Sequence, residues 1–94
     1  MFYLSLTNDP AAVTDYLAAL AAAIRADDDV VNKDETVVDI AAFTERSIAV
    51  RMRFFTLQDY NVMLRTSGRL NTQALQLAKD HRLSLAVYSE TNTP

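Results

Sequence analysis

The chain has no cysteine, one glycine, two prolines and one histidine among 94 residues. Each scarcity excludes something. Without cysteine there is no disulfide framework and no thiol chemistry, which fits a reducing compartment. So little glycine and proline argues against disorder, repeats or a loop-rich scaffold. Excess positive charge is also missing. The net charge is −3 with a pI near 4.9, so nothing electrostatic recruits nucleic acid or an anionic membrane surface. The longest apolar run, Tyr16 to Ile24, is far shorter than the roughly 20 residues of a membrane-spanning helix. No basic stretch precedes a hydrophobic one near the N-terminus, so a secretory signal is not expected. As it stands the chain is expected to be soluble.

What is present is a hydrophobic half of the sequence, enough for one core in one domain, 1–94, with a polar tail from about residue 88. "FYLSL" (residues 2–6) alternates and reads as a strand. Asp9 before Pro10 is an N-cap followed by an N1 proline. After it, Val13, Tyr16, Leu17, Leu20 and Ile24 follow the i, i+3, i+4 rhythm of an amphipathic helix. That helix should end near Ala26, because "DDD" is unfavourable at the negative end of the helix dipole.

"ETVVDIAAF" (35–43) and "SIAVRMRFF" (47–55) are β-rich and read as a hairpin around "TER". In the second of these strands Ile48, Val50, Met52 and Phe54 form the apolar side. A two-residue loop would place Asp39 opposite Met52, in the core. A three-residue loop, 44–46, pairs Val38 with Met52 and Ile40 with Val50, and sets Asp39 beside Arg51. Burying an unpaired carboxylate costs several kcal/mol, and a one-residue slip flips the whole strand, so the second register is predicted.

A long helix follows within "TLQDYNVMLRTSGRLNTQALQLAKDH". Tyr60, Met63, Leu64, Leu70, Ala74, Leu77 and Ala78 are its predicted buried stripe. Gly68 costs about 1 kcal/mol against alanine inside a helix, so it marks a close contact or a bend. Lys79 and His81 suit the helix C-terminus. "LSLAV" (83–87) is the last predicted strand. The order βαββαβ predicts an α+β, ferredoxin-like fold, a four-stranded antiparallel sheet with both helices on one face. Arg51 and Arg53 then lie on the open face, with Asp39, Ser5, Tyr3 and Ser84 as expected neighbours.

Candidate chemistry is sparse. His81 as a general base would need a partner, and Ser84 is the candidate nearby. A helix-terminal histidine is the preferred reading. "DDD" lacks the spaced ligands and glycine of a calcium loop and reads as a solvated loop. No phosphate-binding motif is present. Neither a catalytic residue nor a metal or cofactor is expected. Tyr3 and Phe55 could stack RNA bases with Arg51 and Arg53 on phosphates. The strands lack the Gly-aromatic pattern of such modules, however, and the domain is acidic.

One family resemblance is carried by "ERSIAVRMRFFTLQDYNVMLRTSGRLNTQALQLAKDHRLSLAVYSET" together with "FYLSLTNDPAAVTDYLAALAAAI". These stretches resemble the C-terminal α/β domain of the MscS-type small-conductance mechanosensitive channels. The matching features are a hairpin and alternating strand, the aromatic helix start "DYNVML", the Asn-led aliphatic run "LNTQALQLA", and the closing "LAVYSET". The family's glycine at the end of the second helix and proline in the closing strand have no counterpart in "HRLSLAVYSE". The resemblance implies an excised domain or stand-alone relative of a homo-oligomeric inner-membrane channel, heptameric in the family. Such channels open under membrane tension and release solutes in hypo-osmotic shock. The domain would form part of the cytoplasmic vestibule wall, with the parent channel's other domains and subunits as partners. It would not insert in the membrane, bind nucleic acid or carry a cofactor. Asp39, Arg51 and Arg53 would belong to a contact or vestibule-facing surface. The competing expectation is a free-standing ferredoxin-like regulatory module that pairs edge to edge and binds a small ligand.

Overall fold

A computed structural model describes residues 2–85. Its elements run β1 (Phe2–Ser5), α1 (Pro10–Ala26), β2 (Val30–Val31), a 3-10 turn (Lys33–Glu35), β3 (Val37–Phe43), β4 (Ser47–Arg53), β5 (Phe55–Thr56) and α2 (Tyr60–Asp80). The class is α+β: two helices with antiparallel sheets of three and two strands. Among the described residues no sheet closes into a barrel. In the larger sheet β4 lies between β1 and β3. A single antiparallel bridge joins Leu4 to Leu85 on the other side of β1. The rest of the predicted last strand, residues 86 and 87, lies outside the described residues, as does the tail from 88.

The hairpin register in the strand bodies is the predicted one: Val38 opposes Met52, Asp39 opposes Arg51 and Ile40 opposes Val50. Nearer the turn a bulge intervenes. Ala42 opposes Ala49 and Phe43 opposes Ile48, so four residues, 44–47, separate the last pair rather than three. The side chain of Thr44 accounts for the longer turn. Its Oγ1 accepts from Ser47 N (2.9 Å) and Arg46 N (3.2 Å) while its N–H donates to Ser47 O (2.8 Å).

Three boundaries differ from expectation. Glu35 belongs to the 3-10 turn, so the strand begins at Val37. The next strand ends at Arg53, and Phe55 joins a separate ladder with Val30–Val31 that hydrophobic alternation did not signal. The second helix begins at Tyr60, because Asp59 caps it: Oδ1 accepts from Asn61 N (2.9 Å) and Val62 N (3.2 Å).

One core joins both helices to the same side of the sheet. Val13, Tyr16, Leu20 and Ile24 of α1 and Leu70, Ala74 and Ala78 of α2 cluster with Leu4, Ile48 and Val50. Each fully buried aliphatic side chain there is worth roughly 1.5–3 kcal/mol. Tyr16 is completely buried, and its hydroxyl donates to the Ala74 carbonyl at 2.8 Å, tying the helices together. Burial pushes its pKa up to about 12.

The predicted stripe of α2 needs correction. Leu70, Ala74 and Ala78 are buried and Leu77 packs against the core, but Tyr60, Met63 and Leu64 are exposed. Thr66 is fully buried instead, its hydroxyl without a hydrogen-bond partner among the described residues. The helix closes through a pair of backbone bonds, Leu83 N to Ala78 O (2.8 Å) and Arg82 N to Lys79 O (3.0 Å). This arrangement needs one left-handed residue just past the helix, usually glycine. Arg82, with φ of 59°, fills the position.

Candidate interaction surfaces

On the sheet face away from the helices, β3 and β4 set Asp39 and Arg51 opposite one another. The guanidinium grips the carboxylate with two bonds, Nε to Oδ1 at 3.0 Å and Nη2 to Oδ2 at 2.7 Å. That bonding holds the Asp39 carboxyl below its ordinary range, with a further contribution from the Arg51 and Arg53 charges. Arg53 is exposed and forms no ion pair among the described residues. Tyr3 opposes Ala49 on this face, two residues from Arg51. Ser5 opposes Ser47, four residues along β4, which places it roughly 13 Å from Arg51 at a strand rise of about 3.3 Å. Ser84 is held at that same far end: its carbonyl accepts from Ser5 N (2.9 Å) and Asn8 Nδ2 (2.8 Å), and its N–H donates to Asn8 Oδ1 (2.8 Å). The structure therefore brings Asp39, Arg51 and Arg53 together and separates them from Ser5 and Ser84.

The other singled-out residues fall into simpler places. His81 is half-buried at the end of α2, its ring edge-on to Tyr16 with centroids 6.0 Å apart, and its backbone N–H donates to Leu77 O. No hydrogen bond joins it to Ser84 among the described residues. Tyr3 and Phe55 lie in different sheets, so they do not form one stacking platform.

The acidic run is more than a solvated loop. Asp27 and Asp29 converge on Arg69 of α2, with Nε to Asp27 Oδ2 at 2.8 Å, Nη2 to Asp27 Oδ1 at 2.8 Å and Nη2 to Asp29 Oδ2 at 3.0 Å. The bonds from Arg69 lower the Asp27 pKa, while partial burial opposes them. Spacing alone could not find this clasp, because its partners are 40 and 42 residues apart. No group of histidine, cysteine and acidic side chains able to hold a metal ion occurs among the described residues.

Two concave regions adjoin α2. A cavity of about 360 Å³ lies between the helix and the sheet, lined by Phe2, Tyr16, Met52, Asn71, Ala74, Leu75 and Leu85. An open groove of about 530 Å³ runs along the start of α2 between Phe54–Tyr60 and Met63 and Ser67. The rim of that groove is apolar and exposed. Leu57 is 65% exposed and Tyr60 is 70% exposed, with Phe55, Met63 and Leu64 beside them. Exposed apolar clusters of this kind mark interaction sites more often than isolated surface leucines do. The sequence placed Tyr60, Met63 and Leu64 inside. Their periodicity was a sound sign of an apolar helix face, yet it could not say which partner covers that face.

No helix among the described residues is long and apolar enough to cross a membrane. Comparison with protein-family models, curated proteins and solved structures finds no match for this chain.

Proposed function

We propose that this chain is a non-catalytic interaction domain of ferredoxin-like βαββαβ architecture, serving as the C-terminal cytoplasmic (vestibule) domain of an MscS-like mechanosensitive channel. The observation that carries the interaction role is the exposed apolar rim formed by Leu57, Tyr60, Met63 and Leu64. A domain that works alone in water gains nothing from showing such a surface, whereas a domain within an assembly covers it. In favour of the ferredoxin-like order are the antiparallel ladders β1–β4 and β4–β3 and the single bridge from Leu4 to Leu85, on the side of β1 where that order would set its fourth strand. The channel assignment rests on the resemblance of the quoted stretches. In this reading Asp39, Arg51 and Arg53 form a polar contact or vestibule-facing surface.

An immunoblot of source-cell fractions, with an antibody raised against the domain, tests the proposal. A band far above 10.5 kDa confined to membranes supports it. A soluble band near 10.5 kDa overturns it.

The cavity beneath α2 favours a second reading, a small-ligand-binding regulatory module. Its 360 Å³ lies within the roughly 300–1,000 Å³ of ligand pockets, and its mostly apolar lining with one amide, Asn71, is of the usual kind. A ligand present at 100 times its Kd would stabilise the fold by about 2.7 kcal/mol. A metabolite screen by thermal shift separates the two readings.

A further inference from the structure

We infer that the cavity between α2 and the sheet is a binding site for a small neutral molecule, an aromatic ring bearing one amide-like group, with Asn71 as the residue that selects it. The inference names the ligand class for the small-molecule reading above and rests on that reading.

The cavity follows from how α2 packs. Ala74 is buried beside Tyr16, whose hydroxyl reaches its carbonyl, and the next core position along the helix, Ala78, is also small. Small residues bring the helix backbone near α1, yet they leave no bulk to fill the space toward the sheet. Phe2 of β1 and Met52 of β4 make the floor of that space. Both lie on the core side of the sheet, Phe2 opposite Val50 and Met52 two residues beyond it. Atoms lining such a space lack contacts on one side. An occupant of the right shape restores them.

The lining describes that occupant. A cavity of ~150 Å³ suffices for benzene, so about 360 Å³ takes a ring with a substituent. Phe2 and Tyr16 stand edge to face, with centroids 6.3 Å and planes 80° apart. Aromatic rings prefer such angled neighbours, and the Met52 thioether favours a ring beside it as well. No side chain lining the cavity is charged. A charge carried into it would lose water and meet no counter-ion, which favours a neutral ligand.

One polar group is left to make a directed bond. The Tyr16 proton is already given to Ala74 O at 2.8 Å. The Asn71 carboxamide forms no hydrogen bond among the described residues. It carries an acceptor oxygen and a donor NH₂, the complement of a primary amide. Asn71 is exposed as well as lining the cavity, which places it at the mouth. A ligand therefore enters ring first and leaves its polar end against Asn71.

Benzamide, benzoate and benzamidine share one shape and differ in charge. Titrating each into the full chain, with backbone amide shifts read by two-dimensional NMR, tests the inference. Benzamide should bind with Kd on the order of 1 mM, the range of a fragment this small, and move the amides of Met52, Ala74 and Leu75. Benzoate and benzamidine should bind roughly tenfold more weakly or not at all. Asn71→Leu should weaken benzamide by roughly three- to tenfold. Asn71→Asp should reverse the order, so that benzamidine binds best. Both variants change an exposed side chain and spare the core. Ala18→Gln, on the exposed side of α1, should change nothing. The absence of a saturable shift with benzamide up to about 10 mM overturns the inference, as does binding that moves Phe55 and Tyr60 instead. Binding in the cavity without preference for benzamide, or with an order that Asn71→Asp does not reverse, overturns the ligand class while leaving the small-molecule reading standing. That reading fails separately, when no compound in the thermal-shift metabolite screen raises the melting temperature.

Discussion

The two helices bury opposite kinds of side chain. Helix α1 hides its large residues, Val13, Tyr16, Leu20 and Ile24, and shows alanines such as Ala11, Ala18 and Ala22. Helix α2 buries small ones, Thr66, Ala74 and Ala78, with Leu70 as its only large fully buried residue, and leaves Tyr60, Met63, Leu64 and Leu75 outside. Both carry an apolar stripe at helical spacing. In α1 the stripe is consumed by the sheet beneath it. In α2 the residues that touch the core are the small ones, so the helix packs close, and its bulk points elsewhere. The lesson is that periodicity reports how much apolar surface a helix has, while the layer beside it decides how much of that surface is used.

Substitutions can break or sharpen this contrast. The largest effect belongs to the finished helix. Tyr16→Ala should cost about 3–5 kcal/mol in chemical denaturation, from lost burial and an unfilled cavity. Leu64→Ala, on the unfinished one, should change the stability of the monomer by no more than about 0.5 kcal/mol. Equal losses at the two positions would remove the distinction.

The phenol of Tyr16 gives the next effect. Its pKa is raised in the fold to about 12 from an ordinary 10.0. The folded state thus holds the proton more tightly than the unfolded chain. The contribution is intact below pH 10 and is lost as pH rises toward 12, by about 2–3 kcal/mol at 1.36 kcal/mol per unit. Tyr16→Phe should flatten that alkaline loss in urea titrations, at a cost of about 1 kcal/mol near neutral pH for the bond to Ala74 O.

Smaller effects test the seams. Asp27→Asn removes the carboxylate that clasps Arg69 and should destabilise by about 1 kcal/mol after allowance for solvent screening. Because the fold lowers the Asp27 pKa, this contribution is present above the ordinary carboxyl range and fades as pH falls below it. Thr66→Val replaces a buried hydroxyl that has no partner among the described residues and should stabilise by about 1 kcal/mol. Arg82→Gly relieves a left-handed arginine and should raise stability by about 0.5 kcal/mol, with the melting temperature as the readout.

Much of the local structure was legible in the residues. The α1 boundaries were legible in the N1 proline at one end and the acidic run at the other, which act through backbone geometry and the helix dipole, although Asp9 occupies the N-cap position without a side-chain capping bond. The β3–β4 register was legible because a single buried carboxylate was costly enough to choose between two loops. The bulge near Ala41 was not, since it depends on how the Thr44 side chain closes the turn. The short β2–β5 ladder was hidden because two-residue strands have no alternation to read. Of the candidate surface, Asp39 and Arg51 came together as their register required. The Arg69 clasp and the exposed rim of α2 depend on residues distant in sequence.

By itself the sequence determined the acidic balance, the absence of thiol chemistry, the helices, and the pairing of the hairpin. These follow from composition, capping and interactions within a few residues or across one turn. Tertiary structure alone decided which side of α2 meets the sheet, that Tyr16 should bridge to Ala74, and that Gly68 should lie away from every other described element. The physical reason is that burial belongs to pairs of surfaces. A helix carries its apolar stripe in its own sequence, and only the arrangement of the other elements assigns that stripe a partner.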